Sequence, residues 1–160
     1  MMIFKGKKTG LRVLFLLLIT IIAISSCKKE EENNEQAEID KALIEQYIAD
    51  NQLNAQSTSS GLYYVIITAG GNEHPTIYST VTVAYKGYLL NGEVFDENLV
   101  FTSPLSSLIP GWKGGIPLIG NGGKIKLLVP SALGYGSSEA GSIPANSVLV
   151  FDITLYDFAK

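Results

Sequence analysis

The residue types that most often carry out chemistry in proteins are scarce in this sequence. Its 160 residues include one Cys, Cys27, and one His, His74. These two residues cannot supply the three or four ligands of a zinc or iron–sulfur site, and one Cys cannot form an internal disulfide bond. The sequence contains neither a G-x-S-x-G motif nor a G-x-x-x-x-G-K-[ST] loop. It therefore argues against metal centres, Ser-His-Asp hydrolysis and P-loop nucleotide binding, and no cofactor is expected.

Two other groups of side chains are candidates for chemistry. Asp96 and Glu97 form a carboxylate pair, but neighbouring residues of a strand point to opposite faces, so a glycosidase arrangement is disfavoured. Aromatic residues are the second group, and 12 of the 15 lie after residue 60, together with all six prolines and 14 of the 16 glycines. The folded core and any apolar binding site are therefore expected within Gly61–Lys160.

The start of the chain has the layout of a secretory signal peptide. Four basic residues precede the apolar run Val13–Ile24, which is too short to span a bilayer core of about 30 Å. The sequence Ile24-Ser25-Ser26-Cys27 resembles a bacterial lipobox, which would make Cys27 the lipidated first residue of the mature protein. A chance Cys behind an ordinary signal, or an uncleaved anchor, is the alternative. We predict a lipid-anchored location in the bacterial cell envelope, with the outer membrane favoured and the domain either periplasmic or surface-exposed.

The charge of the remaining chain disfavours two classes of partner. Without the four N-terminal basic residues, 8 Lys and Arg face 15 Asp and Glu, a net charge of −7. Binding to nucleic acid or to an anionic lipid surface needs Lys and Arg to neutralise phosphates. We therefore expect no nucleic-acid partner, and contact with a membrane only through the lipid on Cys27.

The segment between the signal peptide and the core is expected to be an acidic tether, a helix and a linker (residues 27–60). Lys28–Glu38 is almost entirely polar, which predicts a solvated tether. Ile39–Asn51 has helical periodicity, with an apolar stripe that docks on the main domain, pairs with a second copy or lies on lipid. Gln56–Ser60 is predicted to be a linker. The apolar stripe comprises Ile39, Leu43 and Tyr47, flanked by Ala42, Ile44 and Ile48.

Gly61–Lys160 is predicted to be mainly β-structure. Alternating or continuous apolar runs indicate at least five strands, antiparallel wherever hairpins join them, and Asn91-Gly92 predicts a type I′ turn. Leu108–Ile119 is apolar but rich in Gly and Pro; a short helix that begins near Pro110 would direct Trp112 into the concave side of the sheet. The predicted strands are Leu62–Thr68, a strand around Val81–Tyr85, Glu93–Phe95, Lys124–Val129 and Val148–Phe158.

Four motifs in this region resemble one protein family. They are V-T-V-A-Y-K-G-Y-L-L-N-G-E-V-F-D (Val81–Asp96), L-I-P-G-W (Leu108–Trp112), L-G-Y-G (Leu133–Gly136) and I-P-A-N-S-V-L-V-F-D (Ile143–Asp152). In order and spacing they are similar to the FKBP-type peptidyl-prolyl isomerases. The resemblance implies an α+β fold, a curved antiparallel sheet of about five strands wrapped round a short helix, here preceded by the N-terminal amphipathic helix.

The resemblance also implies a proline-binding pocket. Trp112 would form its floor, Asp96 would lie at its edge, and the backbone N–H of Ile143 would bind a substrate carbonyl. Phe101 would occupy a further aromatic position, although Glu97–Ser107 matches the family poorly. The walls of the implied pocket are Tyr85, Phe95, Leu108, Ile109, Tyr135 and Phe151.

The resemblance thus implies an isomerase for X-Pro bonds in exported or unfolded proteins, and a target for the macrolides tacrolimus and rapamycin. Two alternatives remain open. The domain could be a chaperone or docking module that binds proline-containing segments without turnover. Taken singly, aromatic residues more often belong to a core than to a ligand surface, and Tyr85 with Asp96 could be a buried, mutually satisfied polar pair.

Overall fold

The computed structural model describes residues 34–160. The predicted signal peptide (residues 1–26), Cys27 and the first part of the tether lie outside the described residues. One compact unit extends from Ala37 to Lys160. Within the described part of the chain, no helix is long and apolar enough to cross a membrane.

A single antiparallel sheet of six strands forms the body of this unit, in the spatial order β1-β2-β5-β6-β3-β4. The prediction of an antiparallel sheet with a short helix is confirmed, with six strands rather than five. Gln56 and Ser57, which were expected in a linker, form the additional edge strand. The strands are β1 (Gln56–Ser57), β2 (Tyr63–Thr68), β3 (Thr80–Leu89), β4 (Val94–Pro104), β5 (Lys124–Val129) and β6 (Leu149–Ala159).

The hairpin between β3 and β4 differs from the predicted type I′ turn. A type I′ turn requires positive φ at both central residues. Here only Gly92 has positive φ (87°), and its N–H donates to the carbonyl of Leu89 (2.9 Å). The side chain of Asn91 accepts a hydrogen bond from the N–H of Glu93 (2.9 Å). The loop is therefore one residue longer than predicted, with Gly92 in the left-handed conformation after the turn.

Strand β4 is much longer than the predicted return strand Glu93–Phe95, and its pairing with β3 contains two irregularities in register. Gly87 pairs with Asp96 and Tyr88 with Val94, so Phe95 between them has no direct partner. Tyr85 pairs with Asn98 and Val83 with Phe101, which places one extra residue in β4. Such bulges change which side chains face the core, and alternation in the sequence cannot reveal them.

The front face of the sheet packs on the short helix α2 (Pro110–Gly115). The core between the sheet and this helix includes Val83 and Leu127 of the sheet and Leu62, the residue before β2, all fully buried. Cβ atoms at Gly111 and Gly115 would lie 2.6 Å from atoms of Val129 and Leu127, so only glycine permits this close approach of helix to sheet. The predicted start of the helix at Pro110 is confirmed.

The back face of the sheet is covered by a second helix, α1, which is helical from residue 34 to residue 50. Residues 34–38, expected in the tether, are therefore helical. The docked stripe is rotated from the predicted one: Ile44 is fully buried, whereas Ile39 and Leu43 are 47% and 45% exposed. Ile44 belongs to a separate apolar cluster, whose buried members are Ile44, Leu128, Val148 and Val150.

Candidate active site

Trp112 lies at the centre of a cluster of aromatic rings on the front of the sheet. Trp112 lies in the short helix α2. Its backbone N–H donates to the carbonyl of Ile109, the residue that caps the start of the helix (3.0 Å). The side chain is 5% exposed. Its indole Nε1 is the buried side-chain donor that lacks a hydrogen-bond partner within the described residues. The indole is therefore held by packing, at a fixed position above the sheet.

Three rings contact this indole edge-on, each from a strand. The ring centroids of Tyr85, Phe151 and Phe101 lie 5.0, 5.3 and 6.4 Å from that of Trp112, with interplanar angles of 79°, 89° and 85°. Edge-to-face contacts of this kind fix the orientation of each ring. The predicted residues Tyr85, Phe101, Trp112 and Phe151 therefore lie together, although they are far apart in the sequence.

Phe95 extends this cluster across β3. Its ring lies 5.6 Å from that of Phe151, at an angle of 83°. The two rings meet over Gly87, where a Cβ atom would lie 2.6 Å from Phe95 and 2.8 Å from Phe151. A glycine at this position is thus required for both rings to lie against the sheet.

Tyr85 and Asp96 form a hydrogen-bonded pair at the edge of the cluster. The hydroxyl of Tyr85 donates to Oδ2 of Asp96 (2.6 Å). Burial, then the hydrogen bond and the charge of Asp96, raise the pKa of Tyr85 above its usual value, so the phenol is protonated at neutral pH. Asp96 is exposed, so the alternative of a fully buried pair is wrong, while the pairing itself is present.

Two further wall residues precede α2. Leu108 and Ile109 are half-buried and pack against the front core, as do Phe95 and Phe101. These partly accessible apolar side chains lie beside a buried indole. An apolar ring of a ligand could therefore contact the cluster without first unfolding any strand.

The loop after β5 carries the remaining candidates. Tyr135 is 43% exposed. Ile143 is 5% exposed and belongs to the front core. Its N–H donates to the carbonyl of Ala140 (3.0 Å), so a substrate carbonyl could bind this N–H only by sharing it or by opening the 140–143 bridge.

Sequence reasoning missed one polar contact near this loop. Asp40 of α1, 1% exposed, accepts hydrogen bonds from Ser131, which begins the turn after β5. The sequence did contain a signal for this contact: Asp40 lies four residues before Ile44 and therefore on the same, docked face of the helix. The predicted stripe, centred one residue earlier on Ile39 and Leu43, concealed it.

The arrangement offers apolar and hydrogen-bonding contacts, and no nucleophile lies among the cluster residues. Within residues 34–160, no three His, Cys, Asp or Glu side chains are grouped as a metal site would require. Residues 71–156, more than half of the chain, match the sequence model of the FKBP-type peptidyl-prolyl cis-trans isomerases. The chain belongs to this FKBP family. The FKBP match includes every candidate pocket residue from Tyr85 to Phe151.

Individual relatives support the FKBP assignment. The FKBP-type peptidyl-prolyl cis-trans isomerase FkpA of Buchnera aphidicola subsp. Schizaphis graminum is 40% identical over 138 residues, 83% of this chain and 55% of that protein. FkpA of Escherichia coli K12 is 44% identical over 106 residues, 64% of this chain and 39% of that protein. The chain thus spans about half the length of the curated relatives it matches, or less.

A solved structure supports the FKBP fold. The crystal structure of FkpA from Escherichia coli matches with a TM-score of 0.69 and 32% sequence identity. The match covers 96% of this chain and 75% of that one. It therefore extends beyond the 100 residues that carry the four motifs.

Proposed function

We propose that this FKBP domain is a peptidyl-prolyl cis-trans isomerase that binds X-Pro segments over Trp112. The observation that carries the proposal is the indole enclosed edge-on by Tyr85, Phe101 and Phe151, beside apolar side chains that remain partly accessible. Aromatic walls can hold a pyrrolidine ring by apolar contact alone. The family match and the named activity of the relatives support the same reading.

The reaction explains why such a site needs no nucleophile. Resonance gives the X-Pro amide a rotation barrier of about 18–20 kcal/mol, while the trans form is favoured by only about 0.5–1 kcal/mol. Hydrogen bonds from water to the amide carbonyl favour the planar, charge-separated form. Moving the amide into an aromatic pocket removes those bonds and stabilises the twisted form, and each 1.36 kcal/mol gained raises the rate about tenfold.

In this proposal the polar residues of the site orient the substrate backbone. Tyr85 and Asp96 form one fixed pair at the pocket edge, 2.6 Å between oxygens. Ile143 offers its N–H once the bond to Ala140 is shared or opened. Trp112 forms the floor, and Tyr135 closes the site from the exposed loop.

A protease-coupled assay on short X-Pro peptides tests the activity of the full chain. We expect faster isomerisation than the uncatalysed rate, with inhibition by tacrolimus or rapamycin if the pocket accepts macrolides. If the folded protein binds these peptides but leaves the rate unchanged for several residues before the Pro, the isomerase proposal is wrong. The domain would then be a binding module for proline-containing segments.

Replacing Phe95 with Ala should weaken peptide binding and turnover together. A half-buried aromatic wall is removed, and full burial of such a side chain is worth about 1.5–3 kcal/mol, so affinity should fall by about tenfold. Tyr78→Ala is the matched control, because Tyr78 is 87% exposed and lies outside the cluster. Equal losses in the Tyr78 and Phe95 variants would contradict the pocket assignment.

Asp96→Asn keeps the volume of the side chain but removes its charge, and this substitution should depress turnover more than affinity.

We further propose that Cys27 carries a lipid that anchors the domain in the cell envelope, where it would act on exported or unfolded proteins. The support is the sequence alone: basic residues, the apolar run Val13–Ile24 and small residues directly before Cys27. Cys27→Ala should move the protein from the membrane pellet to the soluble exported fraction. Sedimentation of this variant with membranes after a high-salt wash would show that lipid on Cys27 is not the anchor.

A further inference from the structure

Asp40 links the helix on the back of the sheet to the segment that leads into the candidate pocket. Its Oδ2 accepts a hydrogen bond from the backbone N–H of Ser131 (2.7 Å) and another from the Ser131 hydroxyl (2.6 Å). Both residues are buried, with 1% and 2% exposure. Hydrogen bonds to a buried carboxylate are among the stronger ones in proteins, so this contact fixes Ser131 relative to α1.

Ser131 in turn holds the backbone on which Tyr135 stands. Ser131 follows Pro130, the first residue after β5, and begins the 3-10 turn Ser131–Leu133. Its carbonyl accepts the N–H groups of Gly134 (2.9 Å) and Gly136 (2.8 Å), the two neighbours of Tyr135. Because Ser131 binds the residues before and after Tyr135, it fixes the backbone position from which the Tyr135 side chain extends.

The same chain of bonds continues to the segment that carries Ile143. The carbonyl of Gly136 accepts the N–H of Asn146 (2.8 Å), which closes the loop between residues 136 and 146 at its base. Gly136 has a φ of 63°, so its conformation is one that few other residues adopt. Asp40, Ser131, Gly136 and Asn146 thus form a continuous path from α1 to the loop that contains Ile143.

We propose that Asp40 is a positioning residue for the pocket: through Ser131 it holds the loop that presents Tyr135 and Ile143. This inference rests on the proposed isomerase function for its catalytic consequence, while its structural consequence can be measured separately. It assigns α1 a part in activity, although no residue of α1 belongs to the aromatic cluster.

Amide hydrogen exchange of the Asp40→Asn variant tests the structural part. Asn preserves the volume but replaces the charged acceptor, so the amides of Gly136 and Asn146 should exchange about tenfold faster than in the wild type. The exchange rates of the Gly122 and Leu155 amides should not change, because Gly122 donates to the carbonyl of Leu155 and Leu155 donates to that of Gly123, away from Ser131. An equal acceleration at all four amides, or none at Gly136 and Asn146, would overturn the proposal.

Peptide kinetics test the catalytic part, with a matched control on the same helix. Glu45 accepts a hydrogen bond from the hydroxyl of Tyr63 (3.1 Å), so Glu45→Gln perturbs another contact between α1 and the sheet. We expect kcat/KM for an X-Pro peptide to fall about tenfold in Asp40→Asn and less than about twofold in Glu45→Gln. If kcat/KM fell equally in the two variants, Asp40 would act only as one of several contacts that dock α1 on the sheet, and the proposal would be overturned.

The Ser131→Ala variant keeps the proposal testable if Asp40→Asn folds poorly: no change in amide exchange at Gly136 and Asn146 in this variant would overturn the proposal. Where both single variants fold, a double-mutant cycle tests the link directly. Ser131→Ala removes only the hydroxyl donor, and it should produce a smaller change of the same kind at Gly136 and Asn146. Added to Asp40→Asn, it should cause little further change, because both variants break the same link. Fully additive effects would overturn the link. If the wild type shows no turnover, the isomerase proposal fails, while peptide affinity and amide exchange still decide the role of Asp40.

Discussion

Replacing Trp112 with Ala is expected to have the largest effect on the pocket and a large effect on stability. The indole is 5% exposed and contacts three rings, and truncation of a buried aromatic residue costs about 3–5 kcal/mol of unfolding free energy. Turnover on an X-Pro peptide should fall by more than about tenfold at temperatures where the variant is still folded. Denaturant unfolding, followed by the peptide assay well below the transition, measures the two effects separately.

Leu105→Ala is the control that separates stability from catalysis. Leu105 is fully buried in the same core but belongs to the 3-10 turn after β4, and it is not one of the candidate pocket residues. Its truncation should cost about 2–5 kcal/mol while kcat/KM of the folded protein stays within about twofold. If both variants lose activity equally, Trp112 is a core residue and not the floor of a substrate site.

The sequence was sufficient to predict the antiparallel sheet and the short helix because the constraints on these elements are local or motif-based. Tyr85 and Phe151 lie inside strands that the alternation of apolar residues predicts, β3 and β6. The start of α2 follows from Pro110, whose missing N–H and fixed φ suit the first helical position. These elements required no knowledge of contacts between distant segments.

The course of β4 could not be predicted, for a physical reason. Alternating apolar residues show which side chains of a strand face the core only while the register is unbroken. The pairing of β4 with β3 has two irregularities, one before Tyr85 of β3 and one after it. Phe101 consequently comes opposite Val83 and within 5.7 Å of the ring of Tyr85, a placement set by one extra residue. The type I′ prediction for Asn91-Gly92 failed similarly, because the loop length depends on the pairing of the flanking strands.

Helix α1 illustrates a different limit of sequence reasoning. Periodicity predicted the helix but could not choose between two stripes one residue apart, because Ile39, Leu43 and Ile44 are all apolar. The sheet made that choice: its back face presents Leu128 and Val150, and a buried Asp40 fits only where Ser131 can donate to it. Burial of a carboxylate costs free energy unless hydrogen-bond donors compensate for it, so the sequence of the helix alone does not predict that Asp40 is buried.

The sequence predicts that Gly61–Lys160 folds on its own, because the four motifs lie inside it, and Ile44 provides the sharpest test of this prediction. Ile44 is fully buried against Leu128, Val148 and Val150, so Ile44→Ala should remove about 2–5 kcal/mol of unfolding free energy. Leu43→Ala, the neighbouring position on the same helix, is the matched control, because Leu43 is 45% exposed and should change stability by less than about 0.5 kcal/mol. Urea denaturation of the two variants measures the difference.

The same measurement on the Gly61–Lys160 fragment connects stability to domain organisation. If α1 is an integral part of the fold, the fragment exposes Leu128, Val148 and Val150 to water, and it should unfold at a lower urea concentration than Ile44→Ala. A fragment as stable as the full chain, together with equal effects of Ile44→Ala and Leu43→Ala, would show that α1 only rests on the sheet. In that case the isomerase domain begins at Gly61, and the back of the sheet needs no cover to remain folded.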